Sequence, residues 1–422
     1  MNNYLIFILA LLILSWLLDL VIEKLNLSSL SPDLPAEFQG WYDAGKYATS
    51  QQYLRDTTRF GCIADTFLMA LTVAFILLGG FNLVDRIARA AGFEEISTGL
   101  CFAGSLLLAS DIIHIPISAY ATFVIEERYG FNKTTLKVFI IDHLKGWLLA
   151  AAIGGPVLAL VLWFFEKTGP CAWLWCWGSL TVIQIVLMFL APAVIMPLFN
   201  KFTPLADGEL KSAIERYAEG QHFRLQGIFT MDGSRRSTKS NAFFTGFGRF
   251  RRIVLFDTLI EKHSVEELVA ILAHEVGHCK MKHIFRLLSM SIATSGIMFF
   301  ILSLFLNSPS LSTAFRMEHT SLYATLFFFA FLYAPIEILL GIGANMLSRR
   351  HEFEADAFAY RTVKSSEPLI TALKKLSVDN LSNLTPHPAK VFIEYSHPPV
   401  LARIQSLRRS AQNAFPQSLS TA

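Results

Sequence analysis

Charged residues are scarce in this sequence of 422 residues. Asp, Glu, Lys and Arg make up 16% of the chain and hydrophobic residues 53%, whereas a soluble protein has about a quarter charged residues. Internal repeats and low-complexity linkers are also absent, so neither a repeat architecture nor a long flexible linker is expected. The composition favours a membrane protein over a soluble one.

Cysteine is scarce as well, and the five cysteines are odd in number. Cys101, Cys171 and Cys176 lie in or at the ends of apolar runs, where a buried free thiol is common. No C-x-x-C pair supports a zinc–thiolate site. The sequence leaves open whether Cys171 and Cys176 form a disulfide.

Seven apolar runs of about 20 residues are long enough to cross a bilayer as helices. The first has no basic residue before it and no small-residue cleavage site after it, so we expect a retained span and not a signal peptide. Asp111 and His114 lie within the third run, either as functional groups or as a satisfied buried pair. The runs are 4–22, 64–84, 98–120, 147–166, 173–196, 284–306 and 322–346.

Basic residues are distributed unevenly between the loops. Nearly all Lys and Arg fall in residues 23–63, 121–146, 197–283 and the tail after 346, which lie on one side if the spans alternate. The positive-inside rule places this side, with the C-terminus, in the cytoplasm and the N-terminus outside. Hydrophobic periodicity predicts helices at 206–220, 348–363, 367–383 and 398–412, strands at 223–231, 241–248 and 251–259, and a disordered tail at 414–422.

The stretch ILAHEVGHCKMKH, residues 271–283, contains the H-E-x-x-H pattern of zinc peptidases. His274 and His278 are four residues apart, so both imidazoles project from one face of a helix and can bind a single cation. Glu275 is placed to take a proton from a water on that cation. Ser264, followed by Glu266 and Glu267, predicts a capping box that begins this helix, which we expect to continue into the sixth apolar run.

A catalytic zinc site needs a third protein ligand, and the acidic segment HEFEAD at 351–356 supplies the candidates. Glu352 and Asp356 share a helical face, so one can bind the metal while the other accepts the spare N–H of a ligand histidine. Glu354 points about 200° away from Glu352 on a helix and is the weaker candidate. His351 is a competing ligand, whereas His283 follows His278 at the wrong spacing for a third histidine.

At this point the sequence resembles the type I CAAX prenyl endoproteases, which are integral-membrane zinc metallopeptidases with seven spans. The similarity covers most of the chain in ordered blocks. The blocks are EERYGFNKTT (126–135), PLFNKFTPL (197–205), DGSRRSTKSNAFFTGFG (232–248), RRIVLFDTLI (251–260), AHEVGHCKMKH (273–283), LSRRHEFEADAFA (347–359) and YSHPPVLARIQSL (395–407).

The resemblance implies a role for each matching position of this sequence. His274, His278 and Glu352 match the family's zinc ligands, and Glu275 its general base. Asp356 matches a carboxylate that supports a ligand histidine. The remaining matches are Asn241 and Ala242, on a strand edge that binds the substrate backbone, and His397 and Arg403, which approach the reacting carbonyl and the substrate.

The resemblance also implies a mainly α-helical membrane protein with a small β element. Its seven helices would form a barrel around a chamber, capped by a gluzincin-like zinc domain. The expected segments are helices one to five in 1–196, the first half of the metallopeptidase domain in 197–283, helices six and seven in 284–346, and the second half in 347–422.

The implied reaction is hydrolysis of peptide bonds near the C-terminus of isoprenylated CaaX proteins, by a water that one Zn²⁺ polarises and Glu275 deprotonates. We expect peptide or protein substrates and membrane lipid as partners, and no nucleic acid. The tail has no evident retrieval signal, so we expect a bacterial inner membrane, with the endoplasmic reticulum as the alternative. Turnover of damaged membrane proteins by the same site, or transport through Asp111 and His114, are the rival functions.

Overall fold

The structure is a computed structural model that describes residues 2–245, 252–306 and 308–414. Most of the described residues are helical, and one small sheet lies in the second half of the chain. The predicted strand at 241–248 lies outside the described residues from position 246, as does the first residue of the strand at 251–259. The predicted disordered tail at 414–422 lies outside them after Ala414.

Seven helical segments are long and apolar enough to cross a membrane, as the sequence predicts. They are Asn3–Ser28, Ala44–Leu77, Glu95–Glu126, Leu136–Lys167, Gly169–Phe199, His283–Ser303 and Leu322–Val363. Many of their large apolar side chains, such as Phe7, Leu14 and Leu148, are exposed on the protein surface. An apolar surface of this kind suits contact with lipid.

The chain up to Phe199 contains eight α-helices, seven in the first five spans and one between the second and third spans. π-Helical turns at Ala121–Glu126, Ala150–Gly154 and Ala191–Ile195 extend or join the helices of the spans. Short 3₁₀ turns lie at Ala36–Phe38 and Gly169–Cys171. The helices are α1 (Asn3–Ser28), α2 (Ala44–Leu77), α3 (Gly80–Ala90), α4 (Glu95–Tyr120), α5 (Leu136–Leu149), α6 (Gly155–Lys167), α7 (Ala172–Leu190) and α8 (Met196–Phe199).

The second span differs from its predicted bounds of 64–84. Helix α2 begins far earlier and ends at Leu77, because Gly79 adopts a left-handed conformation with φ 74° that glycine tolerates. The chain then turns into α3, whose buried Asp85 is bonded to Tyr323 and Arg89. Residues 80–84, predicted as part of a span, therefore belong to a separate short helix.

Asp111 and His114 are not bonded to each other. The indole Nε1–H of Trp147 donates to Asp111 Oδ2 at 2.6 Å, and His114 Nδ1 lies 2.7 Å from the carbonyl oxygen of Ser110. Cys171 and Cys176 are free thiols in the structure. Asp111 and His114 thus each have a hydrogen-bond partner of their own.

The sheet has strand order β1-β2-β4-β3, with β2 and β4 parallel and the two outer pairs antiparallel. Strands were expected at the positions of β2, β3 and β4, whereas β1 was not predicted. A 3₁₀ turn lies at Gly233–Arg235. The elements are β1 (Phe202–Pro204), α9 (Glu209–Gly220), β2 (Gly227–Met231), β3 (Ala242–Thr245), β4 (Arg252–Phe256), α10 (Asp257–Lys262) and α11 (Val265–Lys280).

The predicted capping box at Ser264 is confirmed, since its side chain accepts from the Glu267 N–H and Glu267 bonds back to the Ser264 N–H. The expected continuation of α11 into the sixth span is wrong. Lys282 adopts a left-handed conformation with φ 59°, and a new helix begins at His283. The following helices are α12 (His283–Ser303), α13 (Pro309–Ala314), α14 (Leu322–Val363), α15 (Glu367–Asp379), α16 (Pro388–Glu394) and α17 (Val400–Ala414).

Helix α14 runs without a break from the seventh span into the acidic segment, as predicted. One hydrophobic core joins the sheet with α9, α11 and α15, through residues such as Ile214, Leu268 and Ala372. A second core packs α11, α15 and α17 against the loop after α1 at Phe38 and Tyr42. Residues that precede the sixth span and residues that follow the seventh span therefore pack into the same two cores, next to α11 and α14.

Candidate metal centre

Helices α11 and α14 approach closely at Gly277. A Cβ at this glycine would lie 3.1 Å from Ala355 Cα and 3.3 Å from the Ala355 carbonyl oxygen. Contacts this close to backbone atoms cannot be relieved by moving a side chain, so the residue type lets the two helices meet. The glycine inside HEVGH thus brings His274 and His278 against Glu352.

His274, His278 and Glu352 form the first His–His–Glu cluster. The two Nε2 atoms are 3.1 Å apart, and they lie 3.4 Å and 3.3 Å from the carboxylate oxygens of Glu352. Tetrahedral ligands with zinc bonds of 2.0–2.1 Å are about 3.3 Å apart. Glu352 Oε2 is buried, and its charged neighbours His274 and Arg403, at 3.4 Å and 3.2 Å, do not meet it with regular hydrogen-bond geometry. The donor set and its spacing fit a zinc-like divalent cation.

Asp356 and Arg403 support this cluster from behind. Asp356 Oδ1 lies 2.8 Å from His274 Nδ1, which leaves Nε2 as the metal-binding atom. Arg403 donates to both Asp356 oxygens at 2.8 Å and 2.6 Å, and its Nη1 lies 3.2 Å from Glu352 Oε2. Asp356 is 1% exposed. Its charge is therefore balanced within the protein.

The protonation of His274 reflects these contacts. Burial and the charge of Arg403 oppose protonation, but the hydrogen bonds to Asp356 and Glu352 outweigh them and raise the pKa of His274 to about 9. In the metal-free protein this histidine thus carries a proton at neutral pH. A cation must displace that proton to bind Nε2.

Glu275 lies beside the first His–His–Glu cluster and lines a pocket of about 190 Å³. Burial raises the pKa of this carboxyl above its ordinary value, although His274 and His278 act in the opposite direction. A carboxylate of raised basicity is suited to accept a proton near neutral pH. The pocket is also lined by Asn241, Ala242, Glu352, His397 and Arg403.

His397 lies in the segment between α16 and α17. Its Nε2 is 3.4 Å from Glu352 Oε1, and its side chain is 67% exposed. The imidazole therefore reaches the first His–His–Glu cluster from the solvent side and is free to contact a bound molecule.

Asn241 and Ala242 lie where β3 begins, at the end of the sheet. The Ala242 backbone N–H donates to Asn241 Oδ1 at 2.8 Å, and the Asn241 carbonyl accepts from the Phe256 N–H on β4. Strand β3 pairs with β4 on one side and has no strand partner on the other among the described residues. Asn241 and Ala242, at the start of this edge, line the pocket.

The structure thus brings all nine predicted site residues together. Arg403 was expected to meet the substrate, and its observed contacts are with Asp356 and Glu352. Sequence reasoning missed the role of Gly277, although a glycine within a helical motif is a usable sign of close packing. It also considered His283, His351 and Glu354 only as rivals for the first cation, whereas they form a cluster of their own.

Fold and site together define a multi-pass membrane metallopeptidase. The chain belongs to peptidase family M48, since "Peptidase family M48" matches residues 204–411 and "CAAX prenyl protease N-terminal, five membrane helices" matches residues 23–201. The resemblance found in the sequence is confirmed. The protein is a metalloendopeptidase, so its substrates are peptides or proteins.

Curated relatives extend over nearly the whole chain. The CAAX prenyl protease 1 homolog of Arabidopsis thaliana is 34% identical, covering 94% of this chain and 95% of that protein. CAAX prenyl protease 1 of Saccharomyces cerevisiae is 36% identical, with coverages of 91% and 90%. The Homo sapiens homolog is 33% identical, with 90% of each chain covered. These relatives are eukaryotic, so the bacterial expectation finds no support.

The crystal structure of S. mikatae Ste24p is also similar. It superposes with a TM-score of 0.92 at 32% identity, covering 96% of this chain and 99% of that one. The expected fold class is confirmed as a mainly α-helical membrane protein with seven candidate membrane helices, a metallopeptidase domain and a small sheet.

Proposed function

We propose that this protein is a zinc endopeptidase that cleaves isoprenylated CaaX proteins near their C-terminus. The observation that carries the proposal is the convergence of the first His–His–Glu cluster, Glu275 and the open edge of β3 on one pocket. Relatives named CAAX prenyl protease 1 support the substrate class.

His274, His278 and Glu352 would hold one Zn²⁺, as their donor types and spacing favour. When bound, zinc supplies Lewis-acid polarisation of the scissile carbonyl and lowers the pKa of the attacking water. Asp356 fixes the tautomer of His274 through Nδ1. Arg403 holds Asp356 in place and keeps a positive charge beside Glu352.

Glu275 would act as the general base. Its carboxylate lines the pocket next to the cluster without belonging to it, so it is available to take a proton from the attacking water. The same group would then pass the proton to the leaving amine. His397 would donate to the oxyanion that develops on the carbonyl, because it approaches the cluster from the solvent side.

The substrate backbone would add to the sheet as a further strand along β3. Asn241 and Ala242 stand at the start of that edge and line the pocket, so they would fix the register of the peptide. Main-chain hydrogen bonds of this kind bind peptides of varied sequence. The position of the scissile bond would then depend on the distance to the first His–His–Glu cluster.

A cavity in the membrane region offers room for an isoprenoid. It has a volume of about 390 Å³ and lies between α12 and α14, with Leu287, Met290, Met298 and Leu340 in its wall. Leu287 is one helical turn beyond the start of α12, which adjoins the first His–His–Glu cluster. The wall is mainly apolar and also contains polar residues such as Ser291, Thr294 and Glu337. Its start next to the first turn of α12 suits the lipid of a prenylated C-terminus.

We further propose that residues 197–283 and 347–422 form one metallopeptidase unit, supported by their shared core. The concentration of Lys and Arg on its side favours the cytoplasmic face. Eukaryotic relatives favour the endoplasmic reticulum membrane over a bacterial inner membrane.

The test is cleavage of a farnesylated CaaX peptide by the purified, zinc-loaded protein, with its unprenylated twin in parallel. We expect faster cleavage of the prenylated peptide, and loss of activity with retained zinc in Glu275→Gln. Equal cleavage of both peptides would favour turnover of membrane proteins in general. Undiminished cleavage by Glu275→Gln would overturn the assignment of the base.

A further inference from the structure

We propose that His283, His351 and Glu354 form a second binding site for a divalent transition cation such as Zn²⁺, beside the first His–His–Glu cluster and distinct from it. This second His–His–Glu cluster has one potential ligand atom from each residue, and these atoms all lie within 4.8 Å of one another. The donor set is two imidazoles and a carboxylate, which suits zinc and related cations.

The arrangement resembles that of the first cluster, in that one helix supplies two ligands and a neighbouring helix supplies the third. There, α11 supplies two ligands at spacing i, i+4 and α14 supplies one. Here α14 supplies His351 and Glu354 at spacing i, i+3, which also places them on one helical face, and α12 supplies His283 from its first turn. His283 Nε2 and Glu354 Oε2 are 3.1 Å apart, close to the separation of two ligands on one zinc ion.

His351 gives the observation that points to a ligand. It is 1% exposed, and neither ring nitrogen has a hydrogen-bond partner among the described residues. A buried polar group without a partner costs about 1–3 kcal/mol. The ring stacks on His283 with centroids 4.0 Å apart and an interplanar angle of 8°. A metal ion binds an imidazole in the plane of its ring, so one of the two rings must rotate out of the stack for both histidines to bind the same ion. The bound ion would then satisfy a His351 nitrogen that no other described residue satisfies.

Two arginines form ion pairs with Glu354 and compete with a cation for its carboxylate. Arg350 Nε lies 2.9 Å from Oε1, and Arg286 Nη1 lies 3.4 Å from Oε2, the oxygen nearest His283. Their side chains are 77% and 52% exposed, and exposed ion pairs contribute little. Arg286 can therefore leave Oε2 while Arg350 keeps Oε1. In the first cluster Arg403 also contacts Glu352, but its hydrogen bonds go to Asp356, which in turn orients His274. The second His–His–Glu cluster has no such supporting acid among the described residues and should bind more weakly.

The two clusters are in contact. His283 Nδ1 lies 3.0 Å from His278 Nδ1, and His278 Nε2 faces the first cluster. A cation bound at His283 Nε2 is thus connected to a ligand of the first cluster through two imidazole rings.

The experiment counts zinc per chain by equilibrium dialysis and elemental analysis of tag-free protein at rising free zinc. The wild type should reach two ions per chain. His351→Phe keeps an aromatic ring for the stack and should reach one. Glu352→Gln, which disables the first cluster, should also reach one, and the double variant none. His114→Phe, at an exposed histidine far along the chain, should retain two.

Glu354→Gln is a second variant in case His351→Phe does not fold, as judged by its melting curve. It should also bind one ion. A wild type that saturates at one ion, with none in Glu352→Gln, would overturn the second site and leave the first intact. Two ions in His351→Phe and in Glu354→Gln would equally overturn it, by showing that the additional ion binds elsewhere.

Discussion

The first and second His–His–Glu clusters share a donor set and differ in everything around it. Behind the first, Asp356 orients His274 and Arg403 balances the buried charge. Behind the second, no described acidic residue bonds to His351, and exposed arginines form ion pairs with Glu354. The first cluster also adjoins Glu275, a pocket and a free strand edge.

This difference distinguishes a site that can bind a cation from a site that can also use the cation for hydrolysis. Two imidazoles and a carboxylate suffice to bind, but hydrolysis also needs a base that is not a ligand and a place for the peptide. Only the first cluster has these among the described residues. The second is therefore a candidate for binding alone.

The largest expected effect comes from replacing the glutamate of each cluster by glutamine and comparing the two variants. Glu352→Gln should lower zinc affinity more than about 100-fold and abolish cleavage, because it removes a ligand, whereas loss of an outer partner costs 10–100-fold. Glu354 is connected to His278 only through His283, so Glu354→Gln should have a far smaller effect on the affinity of the first cluster for zinc. Chelator competition measures both. Equal losses in the two variants would erase the distinction between the clusters.

Asp356→Asn tests the support that the second cluster lacks. We expect zinc affinity to fall about 10–100-fold, because the amide no longer fixes His274 and Arg403 loses its counter-ion. The same chelator competition measures the change, with Asp207→Asn, on an exposed ion pair far from the site, as the control. Unchanged affinity would show that His274 is oriented by packing alone.

The helices that position the first cluster could be predicted, because local signals mark them. His274 and His278 at helical spacing, the Ser264 capping box, and Glu352 with Asp356 on one face all follow from sequence alone. The end of α11 could not be predicted. Lys282 lies in a segment compatible with a helix, and nothing in its residue type indicates the left-handed conformation that it adopts.

The second cluster was missed for a related reason. His283, His351 and Glu354 come from two helices whose relative rotation no periodicity reveals. Each residue was weighed only against the first cation. Burial of His351 without a partner is a property of the packed structure, so only the structure could have indicated it.

A smaller effect is expected in the pH dependence of the stability of the metal-free protein, to which His274 of the first cluster contributes. The pKa of His274 rises from 6.5 to about 9 on folding. A raised pKa stabilises the folded state below pH 6.5, and this contribution is lost as the pH rises through about 9. We expect the melting temperature in chelator to drop by a few degrees over this window. Asp356→Asn should flatten the curve, and an equally steep curve in that variant would refute the assignment.

The smallest effect concerns the strand edge that only the first cluster adjoins. Asn241→Ala should raise KM about fivefold, the equivalent of one hydrogen bond near 1 kcal/mol, because the side chain that holds the Ala242 N–H and lines the pocket is lost. Zinc content and kcat should stay near wild type, since among the described residues no hydrogen bond joins Asn241 to the first cluster. Rates of peptide cleavage over a range of substrate concentrations give KM and kcat separately. A fall in kcat with unchanged KM would mean that Asn241 acts on the reacting bond and not on the register of the peptide.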